Sequence, residues 1–463
     1  MSAAPRLQVR EIELFEREVR LRLPFRFGVA TLEAAPQAFV RVCVRLEDGR
    51  EAEGGAAELL VPKWFDKDPA LSNEQNFEQL RASLRIAREA YLAAGANTAW
   101  GHWRAHYAAQ IAAAAQQGLD SLIACFGPAL IDRALLDALC RALGASFYEA
   151  VRRNLIGAGE FEGLDLAGFL AGLEPAQRIA ARHTVGLADP ITASDVKRRV
   201  NDGLPETLEE VLARYGHRYF KLKVTGEARA DIERLAAIAS VLERIPGPYH
   251  VSLDGNEQYE DMAGVAELWR RMRSDARLAR LVSSVLFIEQ PVARRYAFER
   301  RVEGIGKPVI IDESDDSLEA FARARALGYR GVSSKTCKGL YKSLVNRARC
   351  AAWGEGFFMS GEDLTVQPGL ALQQDLALVA LLGIRHVERN GHHYVNGMAG
   401  LPGREQAAFL AAHPDLYERS HGAVRVRIAR GELAIGSLDC PGYASRALPD
   451  WGAMTLAAKE RIA

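Results

Sequence analysis

Five charged positions sit at the ends of five short apolar runs. The runs are Tyr219-Phe-Lys221-Leu-Lys223, Val251-Ser-Leu-Asp254, Phe287-Ile-Glu289, Val309-Ile-Ile-Asp312 and Gly331-Val-Ser-Ser-Lys335. If Asp254, Glu289 and Asp312 converge, they offer three hard oxygen donors. With water or substrate completing the shell, that set suits Mg²⁺. No cysteine and no convincing histidine pair stands among them to favour zinc. The alternative is that these acids cap helices or pair with lysines across the fold. For one acid alone that reading wins; for three in this order, metal binding is the expectation.

The elements that must position these residues follow from the spacing. The steps are 31, 35, 23 and 23 residues (223 to 254, 254 to 289, 289 to 312, 312 to 335), with amphipathic helical sequence between them. That is about one strand–helix unit per step, so the runs read as strands two to six of a (β/α) barrel. His183-Thr-Val-Gly supplies strand one, Phe357-Phe-Met-Ser360 strand seven and Ile384-Arg-His386-Val strand eight. Barrels of this kind carry their chemistry at the carboxyl ends of the strands, where the charges fall. Lys221 and Lys223, two apart on one strand, point to the same face. In a ring of eight, strands two and six are opposite, so Lys223 and Lys335 face each other across the acids. Two opposed lysines suit proton movement on two faces of one carbon, or removal of a proton and a group from neighbouring carbons.

Around the barrel the chain divides into an α+β segment at residues 1–177, the barrel at 178–402 and a tail at 403–463. Val40, Val42, Val44 and Leu46 alternate with Arg41, Cys43, Arg45 and Glu47, the period of a half-buried strand, and Glu47-Asp-Gly-Arg50 supplies a hairpin turn. Residues 51–66, rich in small residues before Trp64-Phe65, read as a mobile loop. Ser72-Asn-Glu-Gln75 reads as a capping box. Residues 93–143 are helical, and Asn97–Tyr107, with two tryptophans and two histidines, reads as packing with exposed histidines rather than a ligand surface. The tail, with Val424-Arg-Val-Arg and a turn, is expected to return to the N-terminal β-structure.

Composition excludes several classes. Lys plus Arg equals Asp plus Glu at 59 each, so net charge gives no argument for nucleic acid or an anionic membrane. The start has no apolar signal core, and runs such as Leu376–Leu382 are too short to span a bilayer. Six cysteines without paired spacing read as reduced thiols. The expected location is the cytoplasm.

Taken together, Lys-x-Lys, Asp-x-Asn, Ile-Glu-Gln-Pro, Asp-Glu-Ser and the strand-six lysine resemble the enolase superfamily, in the order of its muconate lactonizing enzyme subgroup. The resemblance covers most of the chain. It implies an α/β fold: a modified TIM-type barrel with an α+β capping domain built from both chain ends. It implies Asp254, Glu289 and Asp312 as Mg²⁺ ligands, Lys223 and Lys335 as acid/base residues, Lys221 and Glu313 as electrostatic support, and Asn256 near the metal. The implied substrate is a small-molecule carboxylate that loses its α-proton to give a stabilised enediolate. Racemisation or epimerisation, cycloisomerisation or elimination then follows. Homo-oligomers are common in that superfamily, though no stretch here demands one.

Other features set the expectations apart from well-known members. Strand eight lacks the Asp-x-Asp of dipeptide epimerases, and no strand-seven histidine replaces Lys335. Lys338 is a second candidate base, or else a surface residue. Glu362 and Asp363 are expected to touch substrate or to hold Lys335. Loops Pro24–Thr31 and Gly54–Phe65 are expected over the barrel mouth, with Trp64 and Phe65 lining the pocket. His392-His-Tyr394 reads as a solvent-exposed turn. Two alternatives stay open: an acid-sugar dehydratase, whose usual histidine base has no good candidate, and a non-catalytic barrel that binds or scaffolds.

Overall fold

The computed structural model describes residues 4–28, 30–390 and 392–461, without the side chains of Lys459, Glu460 and Arg461. Three antiparallel strands open the chain: β1 (Leu7–Phe27), β2 (Ala30–Leu46) and β3 (Glu51–Leu59). Val40, Val42 and Val44 of β2 are wholly buried, as the alternation requires. The turn closes as expected, with Asp48 accepting from Arg50 N at 3.1 Å and Gly49 at φ 88°.

The stretch read as a mobile loop is instead mostly β3. Its small residues serve close packing. A Cβ on Gly54 would meet Ala134 O at 2.2 Å and Ala138 N at 2.3 Å, so the strand lies directly on the backbone of helix Phe126–Leu143. Such contact is open only to a residue without a side chain.

Helix α1 (Asn73–Ala93) starts at the Ser72–Gln75 capping box and buries Leu80, Leu84, Ala87 and Tyr91. Helix α2 (Ala99–Gln116) buries Trp100 and Trp103, but its histidines are not exposed. His102 is buried with Nε2 2.9 Å from Leu7 O, because α2 packs beneath the start of β1. Among the described residues no helix is long and apolar enough to cross a membrane.

Eight parallel strands close the barrel: Arg178–Val185, Tyr219–Lys223, His250–Asp254, Val285–Glu289, Val309–Ile311, Gly331–Ser334, Phe358–Gly361 and His386–Glu388. Closure is made by strand eight against strand one, pairing Glu388 with Arg182. The tail serves both parts of the fold. Glu432–Ala434 adds antiparallel to barrel strand one, where Leu433 is wholly buried, before Thr455–Arg461 pairs with β1.

Candidate active site

On strand two, Leu222 packs outward with no exposure while Lys221 and Lys223 turn into the barrel, 1 % and 5 % exposed. Lys221 is a hub. Its Nζ lies 2.9 Å from Asp254 Oδ2, 2.8 Å from Glu289 Oε2, 2.7 Å from Glu362 Oε2 and 3.1 Å from Glu388 Oε2. Burial pulls its pKa down, but these four carboxylates outweigh it and hold the ammonium well above the usual lysine range.

The two opposed lysines bond different carboxylates, Asp254 being shared with Lys221 and Asp312 with Lys338. Lys223 Nζ donates to Asp254 Oδ2 at 2.6 Å, and Lys335 Nζ to Asp312 Oδ2 at 2.6 Å. Each also lies under an aromatic ring from the cap. Phe25 is 5.7 Å from Lys223 Nζ, and Trp64 is 4.2 Å from Lys335 Nζ. The tip of the β1–β2 hairpin thus reaches the barrel mouth as expected; Val29, within that loop, lies outside the described residues. Phe65, by contrast, points back into the cap, edge-on to Phe126 at 5.4 Å.

The motif residues between the acids act as struts. Gln290 Oε1 accepts from Asp312 N at 2.8 Å and Ser314 N at 3.0 Å, which ties the end of strand four to that of strand five. Asn256 N donates to Asp254 Oδ1 at 2.8 Å, and its Nδ2 lies 3.3 Å from Glu313 Oε1. Glu313 also receives Lys67 Nζ from the cap at 3.0 Å.

Several expected roles are revised. Lys338 is not at the surface. It is buried, 2.9 Å from Ser333 O, 3.4 Å from Asp312 Oδ1 and 3.1 Å from Asp315 Oδ2, because Asp312 and Asp315 flank it. Neither Glu362 nor Asp363 holds Lys335. Glu362 bonds Lys221 and Arg182, whereas Asp363 faces Arg389 at 3.3 Å and is pushed up to about 7 by burial, Arg389 offsetting part of it. His392, His393 and Tyr394 do not form a solvent-exposed turn; all are buried, with Tyr394 bonded to Asp189 and packed at a tilt against Phe25, 4.3 Å between ring centres.

Arg182 and Glu388 were not singled out from sequence. Arg182 is a fully buried arginine on strand one that bonds Ser360 Oγ at 3.0 Å and Gly361 O at 2.8 Å besides Glu362. The only available signal was a lone charge inside an apolar strand pattern.

The carboxylates carry opposing shifts. Burial raises all three; for Asp254, Lys221 and Lys223 overcome it, and for Asp312, Lys335 and Lys338 do, so both end low. Glu289 is held well above the usual range by burial, with Asp254 and Glu362 adding to it. Its Oε2, although near Lys221, receives no well-directed hydrogen bond among the described residues. A buried oxygen left under-satisfied among like charges fits a divalent cation. Fully buried carboxylates at adjacent strand ends are the donor type Mg²⁺ prefers. In the described arrangement the lysine ammoniums stand between the acids, and among the described residues no three acid, histidine or cysteine side chains form a metal shell.

Residues 203–433 match the family described as "Enolase C-terminal domain-like". The chain belongs to the enolase superfamily. Similar solved structures span nearly the whole chain. A muconate lactonizing enzyme from Mycobacterium smegmatis complexed with muconolactone is 19 % identical with a TM-score of 0.63, over 97 % of this chain and 100 % of that one. A 2-chloromuconate cycloisomerase from Rhodococcus opacus 1CP is 19 % identical with a TM-score of 0.59, over 95 % and 97 %. An enolase superfamily member from Roseovarius nubinhibens ISM complexed with magnesium is 18 % identical with a TM-score of 0.58, over 98 % and 100 %. At these identities the likeness is one of fold. No curated protein sequence matches the chain.

Proposed function

We propose that this enolase-superfamily enzyme removes the proton α to a substrate carboxylate, with Lys223 and Lys335 as the two groups that take and return it. One observation carries the reading. The two lysines rise from opposite barrel strands, and each is buried and held 2.6 Å from a separate carboxylate, Asp254 or Asp312. At strand two, neutralising the acids would not require Lys223 as well, because Lys221 already meets Asp254 and Glu289 there.

Asp254, Glu289 and Asp312 would hold Mg²⁺, which as a Lewis acid offsets the negative charge gathering on the substrate carboxylate as its α-proton leaves. The chain's own residues do the rest. Lys221, Glu362 and Arg182 fix the floor of the site, so that the acids stay oriented without solvent reorganisation. One lysine Nζ, in its neutral form, takes the proton; the other, as an ammonium, returns one to the opposite face. That gives racemisation or epimerisation. Where the substrate carries a β-leaving group or an internal acceptor, elimination or cycloisomerisation follows from the same first step.

The test is deuterium exchange. Protein with Mg²⁺ in D₂O is incubated with amino acid derivatives, dipeptides, hydroxy acids and sugar acids, and mass shifts are read. The expected result is a shift for one class that disappears in both Lys223→Ala and Lys335→Ala. A shift that survives both replacements would refute the assignment of the bases.

A further inference from the structure

The cap segment that follows β3 is fastened to the barrel by charged and polar bonds along its length. Just before it, at the end of β3, Glu58 Oε2 accepts from Thr336 Oγ1 of the barrel at 2.9 Å, with Arg133 Nη2 of the cap also donating to it at 3.1 Å, and Thr336 is the residue after Lys335. Further on, Arg294 Nη2 donates to Trp64 O at 2.9 Å and its Nη1 to Phe65 O at 2.8 Å. Lys67 Nζ then reaches Asn256 O at 2.9 Å and Glu257 Oε2 at 2.6 Å. Phe65 packs edge-on to Trp64 at 4.8 Å and braces the indole from behind.

These fastenings hold one side chain against one site residue. Trp64, 3 % exposed, presents its ring to Lys335 Nζ at 4.2 Å, well inside the range of a cation–π contact. Phe25 stands in the same relation to Lys223, but at 5.7 Å, near the outer limit, and on a hairpin tip. The two lysines are thus covered by different cap elements, and the strand-six lysine is held more closely.

We propose that Trp64 is a positioning residue for Lys335, fixing its ammonium from above while Asp312 fixes it from the side, so that it governs only the substrate face that Lys335 serves. The inference rests on the proton-transfer reading for its functional meaning, but the contact itself is testable without any substrate. The three fastenings explain why a cap residue can do this: they make the segment part of the barrel mouth rather than a free flap.

The experiment labels amines of the full-length protein with trinitrobenzenesulfonate and reads Lys223 and Lys335 separately from peptide masses. Trp64→Leu is expected to raise labelling of Lys335 about tenfold, the scale of a desolvated cation–π contact, with Lys223 unchanged. Trp64→Phe, which keeps a ring face, is expected to stay near wild type. Phe25→Leu is expected to raise Lys223 alone. Arg294→Met, which loosens the segment without touching the indole, gives a second route to the Lys335 effect should Trp64→Leu fold poorly. Equal labelling of both lysines in Trp64→Leu, no change at Lys335, or no rescue by Trp64→Phe would each overturn the proposal. If exchange is found, Trp64→Leu should slow it for one enantiomer of the substrate and spare the other; equal slowing of both would overturn the face assignment. The labelling pattern present with exchange absent throughout would instead strike the proton-transfer reading and leave the contact standing.

Discussion

Lys221 Nζ stands 2.7 Å from Glu362 Oε2 and, through the same nitrogen, meets Asp254, Glu289 and Glu388. Replacing Lys221 by Met leaves buried carboxylates facing one another. Removing one partner of a buried ion pair costs about 3–5 kcal/mol. Lys221→Met is therefore expected to lower the urea midpoint by a matching amount, and Mg²⁺ should recover more stability in the variant than in wild type. A midpoint equal to wild type would show that the acids are already neutral.

Cation binding should register as stability. At about 100 times the dissociation constant, a ligand that binds only the folded state adds about 2.7 kcal/mol. Urea melts with Mg²⁺ and with chelator should differ by that order in wild type. Asp254→Asn and Asp312→Asn should each remove most of the difference. The same gain in all three proteins would mean that the ion binds elsewhere.

Asp132 provides a test outside the site. Tyr91 donates to it at 2.6 Å, yet burial raises its carboxyl to about 8, the Tyr91 bond offsetting only part. An unfolded aspartate titrates near about 3.9, so between there and about 8 the folded state keeps a proton that the unfolded chain has lost. Stability must then fall as pH rises through that window, by about 1.4 kcal/mol per unit. Asp132→Asn removes this slope. It should exceed wild type in stability near the top of the window, with the advantage shrinking toward the bottom. An advantage that does not vary with pH would refute the shift.

Much of this architecture could be read from the sequence because it depends on local periodicity. Apolar runs ending in charges gave the barrel strands, and the two-residue step from Lys221 to Lys223 put both ammoniums inside. What could not be read depends on packing at long range. Gly54 looked like loop material because nothing local reveals that a helix backbone, contributed by Ala134 and Ala138, will lie against it. Lys338 and His393 looked exposed because charge and polarity favour the surface unless distant partners such as Asp312, Asp315 and Asp189 arrive. Arg182 was missed for the same reason: its partners lie at the ends of strands seven and eight, some 180 to 200 residues away.

The buried histidines give the last prediction. His217 donates through its Nδ1–H to Ala181 O at 2.9 Å, while among the described residues its Nε2 has no hydrogen-bond partner, and its ring faces His183 at 5.4 Å and Tyr215 at 5.7 Å. Burial lowers it to about 4, against the pull of the Ala181 bond. His392 is lowered to about 3 by burial, with Arg425 and Arg22 adding to it. Unfolded histidine titrates near about 6.5, so below that pH the unfolded chain binds protons that the folded one refuses. Stability is therefore lost as pH falls from about 6.5, at about 1.4 kcal/mol per unit for each ring, until the folded values are reached. The cap fastening should outlast this loss: burial raises Glu257, but Lys67 and Arg294 overcome it and hold the carboxyl at about 2. Urea midpoints between pH 7 and pH 4 should thus fall steeply in wild type and less steeply in His217→Asn. Should the two slopes coincide, His217 takes up its proton in the fold as readily as in the unfolded chain, and the lowering by burial is refuted.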